Sequence, residues 1–315
     1  MRIAVLGAGS LGSLLGGLIS RASDVELMIH GKGEHGAMMV ANGLEVKGIE
    51  PFKIPANQVL FTLEEVGVPA SLDGTMDAVI LTGKAQSTEQ LASLALRLLA
   101  PDGVAVSLSN GLGHAETCAA ILGPHRVVAG TTTYASWRPS LGVVQYAGAG
   151  TVVLGHLQGG PTQGEVEPLL NALMRAGVQA EWTDNGPAAV WMKVLLNIAI
   201  NPIAALSGVE NGGLLAPNLF SSALETMLEG ASIARAERVS LPDDLELEHH
   251  LQRVLESTAE NQCSMLQDVR AGRTTEVAYL NQAVVERGER IGVRAPMNHM
   301  LSAMIEALTP DLNQR

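Results

Sequence analysis

The opening of the chain combines a short apolar run, a glycine-rich turn and a stretch of helical character. Residues 2–6 read as a buried parallel strand, the next six follow the pattern Gly-x-Gly-x-x-Gly, and a helix is predicted through Ile19. In this context the first glycine permits a tight turn, the second lets the backbone approach a pyrophosphate, and the third lets the helix pack on the strand. The arrangement predicts a Rossmann-type dinucleotide site. The predicted cofactor contacts are Gly7, Ala8, Gly9, Ser10, Leu11 and Gly12.

The second predicted strand, at residues 25–29, indicates which dinucleotide this site prefers. In NAD-binding sites an acidic side chain at the end of this strand usually binds the ribose 2′-OH. Here the strand runs into His30, Gly31 and Lys32, none of which is acidic, and Lys32 could contact a 2′-phosphate. The residues therefore favour NADP, bound as NADPH, with His30 and Lys32 as candidate contacts. The alternative is that both are solvated loop residues.

Strand and helix signals alternate through the first half of the chain and then give way to helices alone. Further strands are predicted at residues 77–82, 103–108, 127–133 and 179–182, with a hairpin formed by 142–147 and 151–154. After residue 184 the predicted elements are helices at 187–206, 213–237, 244–271, 276–291 and 296–308. We expect an α/β fold: an N-terminal Rossmann-type doubly wound sheet (residues 1–184), the dinucleotide-binding domain, followed by an all-helical substrate and catalytic domain (residues 185–315).

Charge and cysteine content narrow the classes of function. The formal net charge is −12, which argues against nucleic-acid and anionic-membrane partners because these require basic surfaces. Two cysteines cannot build a disulfide framework, and no uncharged apolar run reaches the roughly 18 residues that span a bilayer. We expect a cytoplasmic protein that binds a small molecule and has no metal site. Its long apolar helices could support a homodimer, although a buried core would explain them equally well.

Polar side chains follow two of the predicted strands. Lys84 comes after the apolar run 78–81, and Asn110 follows the strand that ends at Leu108. In a doubly wound sheet, ligands bind outside the carboxyl ends of the strands. Lys84 and Asn110 are therefore predicted to lie beside a cofactor or the reacting part of a substrate. Ordinary loop chemistry would explain either residue alone.

The helix predicted at 187–206 is apolar on almost every side, yet it carries three polar residues at regular spacing. Lys193, Asn197 and Asn201 stand at i, i+4 and i+8, which places them on one stripe about 80° wide. A buried ammonium is costly unless it is paired or opens to a cavity. The stripe therefore predicts a functional site around Lys193. The alternative is a set of satisfied hydrogen bonds between helices.

Further polar candidates lie between residues 258 and 281. Asn261 and Ser264 are predicted to share one helix at i and i+3, and Glu276 is predicted to begin the next helix. Taken alone, Glu276 would be an acidic residue at a helix N-terminus. Spacing assigns no role to these three residues.

Several long ordered segments resemble ketopantoate reductases over nearly the whole chain. They are IAVLGAGSLG near the N-terminus, LTGKAQ and SNGLG after strands, GTTTYA at 130–135, WMKVLLNIAINPIAAL at 191–206 and TAENQCSMLQDVRAGRTTEVAYLN at 258–281. The resemblance implies NADPH-dependent reduction of 2-dehydropantoate (ketopantoate) to (R)-pantoate, in pantothenate and coenzyme A biosynthesis. It places the reaction in the cleft between the two expected domains.

The resemblance also implies roles for individual residues. Lys193 corresponds to the lysine that donates a proton to the ketone oxygen. Implied substrate contacts are Asn110, Lys193, Asn197, Asn201, Asn211, Asn261 and Ser264. Implied cofactor contacts, beyond the glycine-rich turn, are His30, Lys32, Lys84, Asn110, Ser136 and Glu276.

Two positions depart from the pattern of the family. His30 stands where an arginine is common, and Cys263 replaces the small polar residue expected before Ser264. Two other functions are weighed against a ketopantoate reductase: a reductase of another 2-oxo acid and a non-catalytic sensor that keeps the NADP-binding unit. A sensor has no need of a buried lysine aligned with two asparagines, which favours a reductase.

Overall fold

The first part of the chain is built on a sheet whose central strands carry buried apolar side chains on both faces. In the computed structural model, which describes residues 1–308, alternate side chains of the first strand (Arg2–Leu6) enter separate cores. Ile3 and Val5 join one apolar cluster, and Ala4 and Leu6 join another. A stretch of strand covered on both faces needs apolar side chains throughout, which is why residues 3–6, after the exposed Arg2, form an unbroken apolar run.

Two sheets are formed within the described residues. The strands are β1 (Arg2–Leu6), β2 (Glu26–Gly31), β3 (Leu44–Gly48), β4 (Phe52–Ile54), β5 (Leu60–Leu63), β6 (Met76–Leu81), β7 (Leu99–Ser107), β8 (Val127–Thr132), β9 (Ala135–Ser140), β10 (Val143–Gly148), β11 (Val152–His156) and β12 (Ala180–Thr183). The large sheet has the order β12-β11-β8-β7-β6-β1-β2-β5, and the small one has the order β4-β3-β10-β9. In the large sheet β5, β2, β1, β6, β7 and β8 are parallel, and β11 and β12 run against them.

The predicted hairpin at 142–154 is wrong, because its two strands belong to different sheets. β10 pairs with β3 and β9, whereas β11 pairs with β8 and β12. The connection between them is fixed by Thr133, whose N–H donates to the carbonyl of Thr151 (3.1 Å) and whose hydroxyl accepts from the N–H of Thr151 (3.0 Å). This clamp starts β11 beside β8. A glycine-rich link between two short strands resembles a hairpin turn in sequence, and only the distant partner strands reveal the difference.

Helices fill the remainder of the described chain. They are α1 (Ser10–Ile19), α2 (Gly33–Asn42), α3 (Thr88–Leu98), α4 (His114–Leu122), α5 (Gln163–Arg175), α6 (Gly186–Ser207), α7 (Pro217–Ala236), α8 (Asp244–Ser257), α9 (Ser264–Arg270), α10 (Asn281–Ile291) and α11 (Pro296–Leu308). Residues 1–109 and 114–189 form one compact unit, which contains both sheets. The second unit consists of residues 110–113 together with the residues from 190 onward, and its described part is helical. The α/β class with a helical C-terminal part is confirmed.

The predicted helix at 244–271 is in fact two helices. α8 begins at a capping box in which the Asp243 side chain accepts from the N–H of Glu246 (2.9 Å) and Glu246 accepts from the N–H of Asp243 (3.1 Å). It ends at Ser257, and α9 begins only at Ser264, where Cys263 is the N-cap. Asn261 therefore lies in the connection, so Asn261 and Ser264 do not share one helix as predicted.

Two other predicted helix starts are also displaced. α7 begins at Pro217 rather than at residue 213, because residues 211–215 form a 3₁₀ turn. Glu276 precedes a 3₁₀ turn over Val277–Tyr279, and α10 starts at Asn281. The turns carry the same apolar spacing as a helix, so periodicity does not separate them from the helices that follow.

The longest helix, α6, is apolar enough to cross a membrane by length and composition alone, with a mean hydropathy of 1.6 over its most apolar window. However, 61% of that window is buried inside the protein. Trp191, Val194, Leu195 and Ile198 are among its residues in the core of the second unit. This burial is that of a core helix.

α10 ends in a tight backbone turn at Gly292. This turn packs closely against Gly288 in the last part of the helix. Gly292 has a φ of +75°, and the N–H of Val293 donates to the carbonyl of Gly288 (2.8 Å), the pattern of a Schellman cap. A Cβ on Gly288 would collide with the carbonyl oxygen of Val293 and would lie 2.9 Å from Ile233 Cδ1. Only glycine therefore fits at this position.

We expect Gly288→Ala to lower the free energy of unfolding by about 1–3 kcal/mol, because the added methyl forces the cap or the core to move. The measurement is urea unfolding followed by circular dichroism. Gly164→Ala in α5 is the matched control, since a Cβ there meets nothing within 4 Å; the control should be neutral or slightly stabilising. Equal effects of the two substitutions would contradict this account of Gly288.

Candidate active site

The glycine-rich turn between β1 and α1 has the geometry that the sequence predicts. Gly7 has a φ of +98°, and a Cβ there would lie 2.5 Å from the backbone nitrogen of Gly83. A Cβ on Gly12 would collide with the carbonyl oxygen of Gly7 and the hydroxyl of Thr82. A Cβ on Gly9 would meet no atom closer than 3.9 Å. The first and third glycines are thus required by packing, whereas the second faces open space.

That open space lies at the N-terminus of α1, where Gly9 is the N-cap and Ser10 is the first helical residue. The N–H groups of Gly7 and Ala8 both donate to the carbonyl of His30 (3.0 Å each), which anchors the turn to β2. A helix leaves its first N–H groups without intrahelical partners and carries a positive dipole end there. A pyrophosphate fits this arrangement, so the residues present are suited to a dinucleotide.

A buried histidine, His35, is linked to the glycine-rich turn by hydrogen bonds through Ser13. The N–H of Gly142 donates to His35 Nδ1 (3.1 Å), so the ring proton is on Nε2, which lies 3.0 Å from Ser13 Oγ. The Ser13 hydroxyl donates in turn to the carbonyl of Ala8 (3.3 Å). Burial, with a smaller contribution from Arg138, lowers the pKa of His35 to about 4. The ring is therefore neutral near pH 7 and keeps this direction of donation. No motif in the sequence pointed to this relay.

His30 lies inside β2 rather than in the loop that follows it. Its side chain is buried, and Nδ1 is 2.9 Å from the hydroxyl of Thr62 on β5. Burial lowers the pKa of His30, although Glu64 and Glu65 oppose this effect. β2 continues to Gly31 and the ring bonds the neighbouring strand, so His30 is a buried strand residue, and its contact with a 2′-phosphate stays a prediction.

Lys32 is the cation that stands directly after β2. It is exposed, it is the N-cap residue of α2, and its Nζ lies 3.4 Å from Ser87 Oγ. The next N–H, that of Gly33, donates to Glu65 Oε1 (2.8 Å), and this bond is the main reason that the pKa of Glu65 is lowered, with a smaller contribution from Lys32. A cation and a carboxylate therefore lie together at the end of β2. Of the two residues predicted for a 2′-phosphate, Lys32 is exposed and His30 is buried.

The two polar residues predicted at strand ends belong to different units. Lys84 is exposed after β6, just before a 3₁₀ turn over Ala85–Ser87, and the hydroxyl of Ser109 donates to the carbonyl of Gly83 (3.0 Å) in the same unit. Asn110 belongs to the second unit, where its Nδ2 donates to Glu276 Oε2 (3.4 Å). The sequence did not predict this division between neighbouring residues.

The backbone after Asn110 is fitted closely to the same region of the second unit. Gly111 has a φ of +103°, and a Cβ there would lie 3.0 Å from Tyr279 Cβ. The N–H of Leu112 donates to the carbonyl of Tyr279 (3.1 Å), and Leu112 is buried in the helical core. The amide of Asn110 is thereby held at Glu276.

Lys193 shares this neighbourhood. Its side chain is partly buried on α6; burial lowers its pKa to about 8, and the carboxylate of Glu276 acts in the opposite direction. Glu276 thus interacts with both Lys193 and Asn110. The structure groups these three residues, and spacing alone did not predict that Glu276 would be the acidic partner. On the same helix Asn197 is partly buried and Asn201 is buried.

A second group of the predicted residues surrounds the connection between α8 and α9. Asn211 is buried; its N–H donates to the carbonyl of Asn261 (3.0 Å), and its Nδ2 donates to the hydroxyl of Thr258 (2.9 Å). Its Oδ1 is buried and has no hydrogen-bond partner among the described residues. Asn261 and Ser264 are exposed. An unsatisfied buried carbonyl of this kind indicates a place for a ligand donor or a water.

Cys263 caps the N-terminus of α9, a role that the sequence did not predict. Its sulfur accepts from the N–H of Leu266 (3.4 Å) at the start of α9, and the thiol lies 3.6 Å from the carbonyl oxygen of Asn201. Burial raises its pKa, so it stays a neutral thiol near pH 7. Cysteine thus serves here in the place expected for a small polar residue and also contacts the backbone of α6.

Ser136, the remaining predicted cofactor residue, lies in the small sheet. It is partly buried in β9 opposite Tyr146 of β10. β9 packs against α1, the helix that begins at the glycine-rich turn. Ser136 therefore lies in the same unit as that turn.

Known proteins with related sequences and structures cover almost the whole chain. Residues 3–159 match the family model described as Ketopantoate reductase PanE/ApbA, and residues 187–309 match its C-terminal counterpart. The 2-dehydropantoate 2-reductase of Pyrococcus horikoshii is 32% identical over 98% of this chain and 97% of its own, and that of Archaeoglobus fulgidus is 33% identical over 99% of each.

Solved structures agree with this relationship. A PanE/ApbA family ketopantoate reductase from Ralstonia eutropha JMP134 superposes with a TM-score of 0.84 at 28% identity, covering 98% of both chains. The 2-dehydropantoate 2-reductase from Geobacter metallireducens gives 0.85 at 28% identity, covering 98% of this chain and 100% of its own. A D-mandelate dehydrogenase solved with NADH and anilino(oxo)acetate gives 0.90 over 99% of both chains, but at 24% identity this likeness concerns the fold alone.

Proposed function

The chain belongs to the ketopantoate reductase family, and from that premise we propose that it reduces 2-dehydropantoate to (R)-pantoate with NADPH. This is the reaction of pantothenate and coenzyme A biosynthesis that the sequence resemblance implies. The observation that carries the proposal is a partly buried ammonium, Lys193, that interacts with Glu276 and shares a helix stripe with two asparagines. A sensor needs no such group, and the relatives that match over the full length are reductases by name.

Lys193 is the proposed proton donor. With a pKa of about 8, it is protonated near pH 7 and gives up its proton more readily than an exposed lysine. Reduction of a ketone places negative charge on its oxygen. The ammonium stabilises that charge and then protonates the oxygen, which completes the alcohol. Glu276 keeps the lysine charged until this step, and Asn110 is bonded to the same carboxylate (3.4 Å).

The asparagines of the second unit are the proposed substrate contacts. Asn197 and Asn201 lie one and two turns beyond Lys193 on α6, where their amides can bind the carboxylate and hydroxyl of the substrate. Asn211 offers a buried carbonyl without a partner among the described residues, which suits a hydroxyl donor. Asn261 and Ser264 are exposed beside it and complete the proposed set.

The glycine-rich turn is the proposed cofactor site. Gly9, Ser10 and Leu11 form its open edge at the start of α1, and Lys84, Asn110 and Ser136 are further proposed contacts. A bound nicotinamide supplies the hydride. Lys32 is proposed to bind the 2′-phosphate, which would make NADPH the preferred form. A cytoplasmic location and a homodimer stay predictions.

The first experiment compares Lys193→Met with the wild type in the oxidation of NADPH by ketopantoate. We expect kcat to fall by about 10²–10⁴-fold, because the substitution keeps the stem and removes the acid. The Kd for NADPH should be retained. Lys47→Met is the control, since Lys47 is exposed on β3 and pairs only loosely with Glu45 (3.9 Å). An unchanged kcat in Lys193→Met would rule out the proton-donor role, and a panel of other 2-oxo acids tests the substrate.

The second experiment follows the pH dependence of kcat/KM. The protonated Lys193 is the active form, so the rate should be constant below pH 8 and should fall as the pH rises through about 8. The carboxylate of Glu276 raises the pKa of Lys193; Glu276→Gln removes this effect, so the fall should begin at a lower pH. Glu286→Gln, at an exposed site in α10, is the control. A profile that does not move in Glu276→Gln would contradict the coupling.

The third experiment concerns the choice of dinucleotide. We expect Lys32→Ala to raise the KM for NADPH by about tenfold, because it removes a cation worth one charge-assisted contact to phosphate. The KM for NADH should change little, because NADH has no 2′-phosphate. Lys53→Ala is the control, since Lys53 is an exposed lysine in β4. Equal changes for both dinucleotides would show that Lys32 does not select between them.

A further inference from the structure

α6 contains a proline directly after the last residue of the stripe formed by Lys193, Asn197 and Asn201. Pro202 follows Asn201 directly and lies well inside the helix, which continues to Ser207. Proline has no N–H, so the carbonyl four residues earlier, that of Ile198, loses its helical partner, and the ring crowds that carbonyl as well. The regular bonding of the helix is therefore interrupted between Asn197 and Asn201. An interruption there can alter how the two amides are placed relative to each other.

A side chain from another helix replaces the missing bond. Asn281, the first residue of α10, is fully buried, and its Nδ2 donates to the carbonyl of Ile198 (3.1 Å). Its other N–H donates to Asn298 Oδ1 (3.0 Å). Both partners are acceptors, so the orientation of the Asn281 amide is determined. Its Oδ1 is left buried without a partner among the described residues. The side chain is thus committed to donating.

Asn298, which accepts a hydrogen bond from Asn281, is held in turn by the carboxylate of Glu229. Asn298 Nδ2 donates to the carbonyl of Thr226 and to Glu229 Oε2, both at 3.1 Å. Glu229 also accepts from the N–H groups of Met297 (2.9 Å) and Asn298 (3.1 Å) at the start of α11. Asn281 therefore donates in two directions, to the carbonyl of Ile198 on α6 and to Asn298, which donates in turn to the carboxylate of Glu229 on α7. Because each amide has only one arrangement that fits, the network fixes the position of Asn281.

The same part of α6 is held from two other sides. The backbone of α7 approaches so closely at Gly230 that a Cβ there would lie 2.6 Å from Ile198 Cδ1 and 2.8 Å from Leu195 Cδ2. The thiol of Cys263 contacts the carbonyl of Asn201 (3.6 Å). The part of α6 around the proline is thus contacted by three neighbouring segments, and among the described residues Asn281 is the one whose side chain donates to the carbonyl that the proline leaves free.

We propose that Asn281 is a positioning residue for the reaction. By binding the carbonyl that Pro202 leaves free, it sets the bend of α6 and so the placement of Asn201 relative to Lys193 and Asn197. This inference rests on the proposed function, because the stripe matters for catalysis only if it binds the substrate. Asn281 itself acts through α6.

The test is a double-mutant cycle with Asn281→Ala, Pro202→Ala and both together. We measure kcat and KM for ketopantoate, KM for NADPH, and urea unfolding without substrate. Asn281→Ala should lower kcat/KM for ketopantoate by about tenfold or more and change the KM for NADPH by less than about twofold. In the Pro202→Ala background the same change should cost less than about threefold, because residue 202 regains an N–H that can bond the carbonyl of Ile198. Gln282→Ala, at the next residue of α10, is the control.

Equal losses in the two backgrounds would overturn the proposal, and so would a parallel loss in the KM for NADPH, which indicates general damage. If Asn281→Ala does not fold but the double variant does, the proposal is supported; if neither folds, it is overturned. The unfolding data distinguish a failure of the proposed function from a failure of the compensation between Asn281 and Pro202. A wild type that does not reduce ketopantoate refutes the proposed function, whereas additive losses of stability refute the compensation between Asn281 and Pro202.

Discussion

The proposed chemistry of the second unit depends on keeping a lysine charged on a helix that is otherwise largely apolar. Moving an ammonium out of water favours the neutral amine, and the pKa of Lys193 falls from 10.5 to about 8, a difference of roughly 3 kcal/mol. Glu276 limits this fall. Without the carboxylate the amine would be a weaker acid catalyst near pH 7 because less of it would be protonated. Without burial the ammonium would be too weak an acid to give up its proton readily. The two effects together leave the lysine charged and acidic enough.

The glycine-rich turn also has to offer positive groups to an anion, and it does so with backbone N–H groups. In the proposed cofactor site, a chain with a net charge of −12 would bind an anionic dinucleotide through N–H groups and a helix terminus, which carry no net charge. Such groups act only if the turn holds its shape. Hydrogen bonds to the carbonyl of His30, the close packing at Gly12, and the Ser13–His35 relay hold it on three sides. Because His35 is neutral near pH 7, the relay keeps its direction.

The sequence predicted features that depend on neighbours along the chain. The glycine motif and the stripe of α6 follow from local spacing, and the structure has both. Features that depend on distant partners were missed. The second strand was predicted to end at residue 29, before His30, because the pairing of His30 with Thr62 on β5 is not visible in the local sequence. β10 and β11 were read as a hairpin because their partners, β3 and β8, are distant in sequence. The grouping of Lys193 with Glu276 spans more than eighty positions, and no pattern in α6 or in the segment around Glu276 indicates it.

Pro202 shows how these two kinds of information meet. Its presence in a helix is visible in the sequence, and so is the consequence that the carbonyl of Ile198 lacks an N–H. The sequence does not show which group donates to that carbonyl instead. In the structure the donor is the buried amide of Asn281, whose own Oδ1 has no hydrogen-bond partner among the described residues. Burying an unpaired acceptor is unfavourable, and a straight helix with alanine at 202 would require no donor from Asn281. The arrangement is therefore costly as a way to make a helix stable, and it is more easily understood as a way to fix the direction of α6 where its asparagines are proposed to bind the substrate.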